Sequence, residues 1–200
     1  MRYRDYKSFT PGHYYHIFNR GVNKQKIFID EQDYFQFLQR LQIILALIPM
    51  TEVRTNIRPL PQGSFSILAY CLMPTHFHML IRQNNDIGIG KLILKLCTSY
   101  STYMNKKYNR VGTLFQDRFK AKLVDSDQYA TYVSAYINNN PENPNQYPYS
   151  SYKEIFSSDL NTILDRRLLL SWFNNSPQAY KKFVDDLQKH KALGEFSFSN

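Results

Sequence analysis

A chain of 200 residues, 43% hydrophobic and with only 7 glycines and 9 prolines, suits one domain with a real core and excludes fibrous and low-complexity classes. Its formal net charge of +9 favours a polyanionic partner, and 16 tyrosines and 14 phenylalanines supply rings on which unpaired bases can stack. Cys71 and Cys97 lack metal spacing and make no disulfide framework, no apolar run reaches membrane-spanning length, and MRYRDYKSFTPG has no signal core, so a reducing cytoplasmic setting is expected, with no membrane partner.

HYYHIFNR (13–20), ending at Gly21, predicts a first strand. A helix follows, with Asp30 as its cap and Tyr34, Leu38, Leu41, Leu45 and Ile48 at helical spacing. The polar, proline-containing stretch 49–64 predicts a loop. FSILAYCLM (65–73) and HFHMLIRQ (76–83), joined by Pro74-Thr75, predict paired central strands. Ile89, Leu92, Ile93, Leu96, Tyr100, Tyr103 and Met104 form the stripe of a second helix, with Lys91 and Lys95 off it.

TLFQDRFKAKLV (113–124) alternates, with Phe115, Phe119, Ala121 and Leu123 on one face and Gln116, Arg118, Lys120 and Lys122 on the other. It predicts a strand with a basic side. DSDQYATYVSAYINNNP predicts a third helix with Asp125 as N-cap, Gln128 three residues on, and Pro141 as its stop. The order β-α-β-β-α-β, then a helix, is an α+β fold, the ferredoxin-like split βαβ around a central antiparallel sheet. Beyond about Asn143, DRRLLLSWF and PQAYKKFVDDLQKH predict helices packed on that unit, which divides the chain into a domain at 1–150 and a helical C-terminal extension at 151–200.

In AYCLMPTHFHML (69–80), strand alternation puts His76 and His78 on one face and Phe77 on the other. Two readings stand open for the pair: hydrogen-bonded histidines near a strand end, or chelation of one divalent cation. The third helix has the stripe Tyr129, Tyr132, Val133, Tyr136 and Ile137, and the same spacing carries Asn140 inward beside Tyr136. An inward amide caps a helix end or gives its oxygen to a hard cation. An inward tyrosine is a core residue or, beside a cation, a nucleophile. Candidate contacts for a nucleic acid are Arg2, Arg4, Asn19, Arg20, Lys24, Lys26, Arg118, Lys120 and Lys122. The alternative for each is a solvated charge, and Lys106 and Lys107 read as plain surface. Tyr3, Tyr14 and Tyr15 read as stacking platforms or as core.

Pro74-Thr75-His76-Phe77-His78 resembles the His-hydrophobe-His motif of single-tyrosine transposases, and Tyr136-Ile137-Asn138-Asn139-Asn140-Pro141 resembles their Tyr-x-x-x-Asn-Pro helix. Phe18-Asn19-Arg20-Gly21 and the stretch Gly112 to Lys120 are similar to the REP-associated tyrosine transposase branch, and the resemblance covers about residues 10–150. It implies a divalent cation, Mg²⁺ or Mn²⁺, held by His76, His78 and Asn140. It implies that Tyr136 attacks the scissile phosphorus of single-stranded DNA beside a hairpin, leaving a 5′-phosphotyrosine and a free 3′-hydroxyl. Both a homodimer and a monomer fit the resemblance. No GxxxxGK[ST] loop is present, in keeping with strand transfer that needs no ATP. The alternative function is hairpin binding without cleavage.

Overall fold

The computed structural model describes residues 9–49, 51, 56–157 and 162–192. The expected contacts Arg2, Tyr3 and Arg4 lie outside the described residues.

Strands β1 (Tyr14–Arg20), β2 (Phe65–Met73), β3 (His76–Gln83) and β4 (Lys120–Val124) form one antiparallel sheet in the order β2-β3-β1-β4. With α1 (Glu31–Ile44) between β1 and β2 and α2 (Ile89–Lys107) between β3 and β4, this is the ferredoxin-like arrangement. The two-residue connection Pro74-Thr75 makes β2 and β3 a hairpin. Strands β1 and β3 are central, and their side chains alternate between two buried layers.

One face, with Ile17, Phe77, Met79 and Ile81, packs on α1 and α2 through Phe37, Leu41, Leu96 and Tyr100. The other face, with Tyr14, Ala69, Cys71 and Leu80, packs on α3 (Asp127–Asn138), α4 (Arg166–Ser171) and α5 (Pro177–Ala192). Residues beyond 150 therefore share a core with the sheet. The chain around the expected 150/151 boundary runs along β2: Leu72 donates its N–H to the Tyr149 carbonyl, and Ser151 donates its N–H to that of Tyr70.

Asp30 caps α1 as expected, in a reciprocal box: its side chain accepts from the Asp33 N–H at 3.1 Å, and Asp33 accepts from the Asp30 N–H at 3.2 Å. The helix ends before Ile48. Helix α3 starts from Ser126 rather than Asp125, because the Ser126 hydroxyl accepts from the Tyr129 N–H at 3.2 Å. Its buried residues are Ala130, Val133, Ser134, Ala135, Ile137 and Asn138, so the helix is rotated from the expected stripe and Tyr129 is exposed. Tyr14 and Tyr15 are core residues.

The expected strand 113–124 is a strand only at Lys120–Val124. The segment before it docks against the end of β1, where Val22 donates its N–H to Leu114 and Gln116 donates to Arg20. Its rings Phe115 and Phe119 are buried by that docking, not by sheet alternation.

Lys107 is not plain surface. Its ammonium lies 2.7 Å from Asp30 Oδ2 and 2.8 Å from Asp33 Oδ1, and the Asp33 side chain is 0% exposed. Tyr103 and Tyr108 also donate to Asp33. Burial alone would raise the Asp33 carboxyl, but the hydrogen bonds from Lys107, the Ile29 N–H and Tyr108 outweigh it and hold it below the usual carboxylate range. A depressed carboxylate contributes stability above its unfolded-state pKa of about 4, and that contribution is lost as pH falls through the lower folded value. Lys107→Met is expected to destabilise the fold by about 1–3 kcal/mol at pH 7, discounted for partial exposure. Urea unfolding at pH 7 and pH 3 checks this, with the gap between variant and parent narrowing at pH 3.

Candidate active site

Three histidines meet on the face of the sheet that α3 covers. The register sets Phe18 on β1 opposite His78 on β3, and Arg20 opposite His76. His76 and His78 therefore project beside the β1 side chains His16, Phe18 and Arg20. The ring centroids of His76 and His78 are 5.2 Å apart, with the planes perpendicular. His16 Nε2 lies 2.9 Å from His78 Nδ1, and Thr75 Oγ1 lies 2.9 Å from His76 Nδ1.

Asn140 follows the last residue of α3 in a turn, its N–H donating to the Ile137 carbonyl at 3.2 Å. It reaches His76 from beyond the helix end rather than from the helix face that the spacing predicts. The Asn140 side chain lies against His76, where its interaction favours the protonated ring and opposes the effect of burial. Tyr136, half-buried on α3, sets its ring edge-on to His16 at 6.2 Å and to His78 at 6.5 Å. The structure thus brings Tyr136, His76, His78 and Asn140 into one neighbourhood.

Burial governs the protonation states. It lowers His16 to about 3, with Lys122 adding repulsion. It lowers His78 well below the ordinary value, reinforced by His16, His76 and Lys122. It lowers His76 against the opposing Asn140 bond. All three rings are neutral at pH 7, the form in which imidazole donates a lone pair to a metal. Burial raises the Tyr136 phenol above its usual 10.

Beside the histidines opens a cleft of about 520 Å³, lined by His76, His78, Thr75 and Phe18 and by Arg20, Lys24, Arg118 and Lys120. The Lys120 ammonium sits 5.8 Å over the Phe18 ring. Two neutral imidazoles and an amide oxygen are a mixed N/O donor set that fits an open site for a hard or borderline divalent cation. Among the described residues no group of three or more His, Cys, Asp or Glu is placed to hold a metal ion.

A family model described as "Transposase IS200 like" matches residues 10–140. The chain belongs to the IS200-like transposase family. A comparison with curated proteins finds no match. Among solved structures, the fold is similar to a REP-associated tyrosine transposase bound to a REP hairpin, with a TM-score of 0.58, 16% identity, and coverage of 82% of this chain and 89% of that one. A candidate transposase of Deinococcus radiodurans R1 gives a TM-score of 0.41 at 15% identity, covering 66% of this chain and 96% of that one.

In this IS200-like transposase the expected DNA-contacting residues divide by position. Arg20, Lys24, Arg118 and Lys120 line the cleft with exposed side chains. Arg118 precedes β4, so it does not continue a strand row with Lys120 and Lys122. Lys122 pairs with His16 in the β1–β4 register. Asn19 is buried: its Nδ2 donates to the Asp117 carbonyl at 3.2 Å and its Oδ1 accepts from the Arg20 N–H at 2.9 Å. It fastens the loop that carries Asp117 and Arg118 to the end of β1.

Gly21 makes a second fastening point. Its N–H donates to the Thr75 carbonyl, and a Cβ there would stand 2.2 Å from the Gln25 carbonyl oxygen. That close approach explains the glycine in Phe-Asn-Arg-Gly and fixes the turn ahead of His76. His16 is the site residue that sequence reasoning missed. Alternation along β1 places it with Phe18 and Arg20, but its meeting with His78 depends on the register of two distant strands.

Proposed function

We propose that this transposase cleaves and rejoins single-stranded DNA beside a hairpin through a 5′-phosphotyrosine on Tyr136. The observation that carries the reading is the gathering of Tyr136, His76, His78 and Asn140 in one neighbourhood, whose two histidines also line a basic cleft. Arg20, Lys24, Arg118 and Lys120 neutralise the DNA backbone along the cleft and set its direction. The phosphate is held with its leaving oxygen opposite the Tyr136 hydroxyl, in line for displacement.

The Tyr136 oxygen forms a bond to phosphorus, its proton leaves to solvent, and the 3′ oxygen of the upstream nucleotide departs and is protonated. The reverse step, attack by a 3′-hydroxyl on the phosphotyrosine, restores a phosphodiester and frees the phenol. His76, His78 and Asn140 would hold Mg²⁺ or Mn²⁺, which when bound supplies charge stabilisation to the non-bridging oxygens. The similarity to a hairpin-bound REP-associated transposase supports hairpin DNA as the structural context of the cut.

Incubation of the protein with Mn²⁺ and an oligonucleotide carrying a hairpin and a single-stranded flank tests the reading. A covalent adduct on a denaturing gel is expected, with the nucleotide mapped by mass spectrometry to Tyr136. Hairpin binding with no adduct at any flank sequence would instead favour a binding module. Salt titration supplies a further check: Arg118→Gln and Lys120→Gln are each expected to reduce the slope of log affinity against log salt by about 0.7–0.9.

A further inference from the structure

His16 is 6% exposed, carries no role in the reading above, and touches the more deeply buried of the two candidate ligands. We propose that His16 is a positioning residue: its Nε2 accepts the Nδ1 proton of His78 and so turns the Nε2 lone pair of His78 toward the candidate cation site. The inference rests on the reading of His76, His78 and Asn140 as cation ligands.

A contact of 2.9 Å between His16 Nε2 and His78 Nδ1 holds one proton between two rings. Two arrangements are possible. If His78 accepts at Nδ1, its Nε2 carries a hydrogen and presents an N–H, which cannot bind a cation. If His78 donates from Nδ1, its Nε2 carries the lone pair that a cation needs. The surroundings hold the rings in the orientation this requires. The His16 and His78 centroids are 5.1 Å apart with planes 26° apart, Phe18 packs against both at 5.0 and 5.6 Å, and Tyr136 stands near-perpendicular to both at 6.2 and 6.5 Å. A hydrogen bond to the non-ligating nitrogen also raises ligand basicity, the usual task of a group standing behind a metal-bound histidine. A purely structural pair would need only mutual satisfaction of two buried polar rings, with either nitrogen protonated.

Two measurements on the full chain separate these cases. The first is the ¹⁵N spectrum of the histidines in metal-free protein, with His78 expected as the Nδ1–H tautomer. Finding it as the Nε2–H tautomer would overturn the inference. This measurement needs no variant and stands even where a substitution impairs folding. The second is Mn²⁺ titration followed by electron paramagnetic resonance. His16→Phe keeps the ring volume without an acceptor and is expected to weaken Mn²⁺ binding by about 10–100-fold, while His16→Gln, which retains an acceptor, restores it to within about threefold of the parent. Loss of Mn²⁺ binding in His78→Ala with unchanged binding in His16→Phe overturns the positioning role and leaves the cation reading standing. Unchanged binding in His78→Ala overturns both.

Discussion

Tyr136→Phe is expected to reduce covalent adduct formation by roughly 10⁴-fold or more, the scale on which loss of a nucleophile acts. The substitution removes one oxygen and keeps the ring that packs against the α3–α5 layer and stands edge-on to His16 and His78. Fold and hairpin affinity are therefore expected to survive, since the cationic side chains of the cleft remain in place. Retention of the adduct in this variant would assign the nucleophile elsewhere. The phenol's raised pKa also gives the reaction a direction in pH. Below its pKa the ionised fraction grows about tenfold per pH unit, so the single-turnover rate is expected to climb between about pH 6 and pH 9. His16 and His78, which burial holds well below the ordinary imidazole range, impose no fall at its acid end. A rate that levels off near pH 7 would contradict direct use of this tyrosine.

The second large effect concerns the far side of α3. Tyr180 on α5 is fully buried, and its hydroxyl accepts from Asn138 Nδ2 at 2.8 Å and donates to Ser134 Oγ at 3.3 Å. Asn138 Oδ1 accepts from Ser151 Oγ at 2.9 Å, and Ser151 Oγ accepts from the Tyr70 N–H of β2 at 2.9 Å. The next residue, Asn139, donates to the Val184 carbonyl at 2.8 Å. The last turn of α3 is thereby tied to β2 on one side and to α5 on the other, between Tyr136 and Asn140. Tyr180→Ala is expected to cost about 3–5 kcal/mol through the cavity and the orphaned amide. Tyr180→Phe isolates the hydrogen bonds and is expected to cost about 1–3 kcal/mol. In the Phe variant adduct formation should fall more than hairpin affinity, because the turn that carries Tyr136, the proposed nucleophile, loosens while the cleft does not. Urea unfolding and adduct kinetics on the same preparations test this, and a Tyr180→Phe protein matching its parent in both would show that the tie does not matter.

Local pattern made much of this architecture legible. Runs of apolar, β-branched and aromatic residues found β1, β2 and β3, helical spacing found α1 and α2, and the order of elements sufficed for the ferredoxin-like arrangement. What escaped depends on tertiary partners. Phe115 and Phe119 alternate as strand residues do, yet their segment is held by backbone bonds to Arg20 and Val22 across a gap in sequence. The Tyr129–Tyr132 face of α3 reads as apolar, but small residues such as Ala130 and Ser134 let the helix approach the sheet and α5 more closely. Lys107 looks solvated until α1 brings Asp30 and Asp33 against it from more than seventy positions away. His16 stood in plain view within HYYHIFNR, and only the β1–β3 register shows which histidine it meets.

The tie between α3 and α5 has a consequence for biosynthesis. Of the described elements, α5 is the last to be translated. A nascent chain holds His76, His78, Tyr136 and Asn140 some forty residues before Tyr180 and Val184 exist to fix the turn between Tyr136 and Asn140. A ribosome paused short of Tyr180 has therefore made every residue of the candidate site without the brace that aligns them.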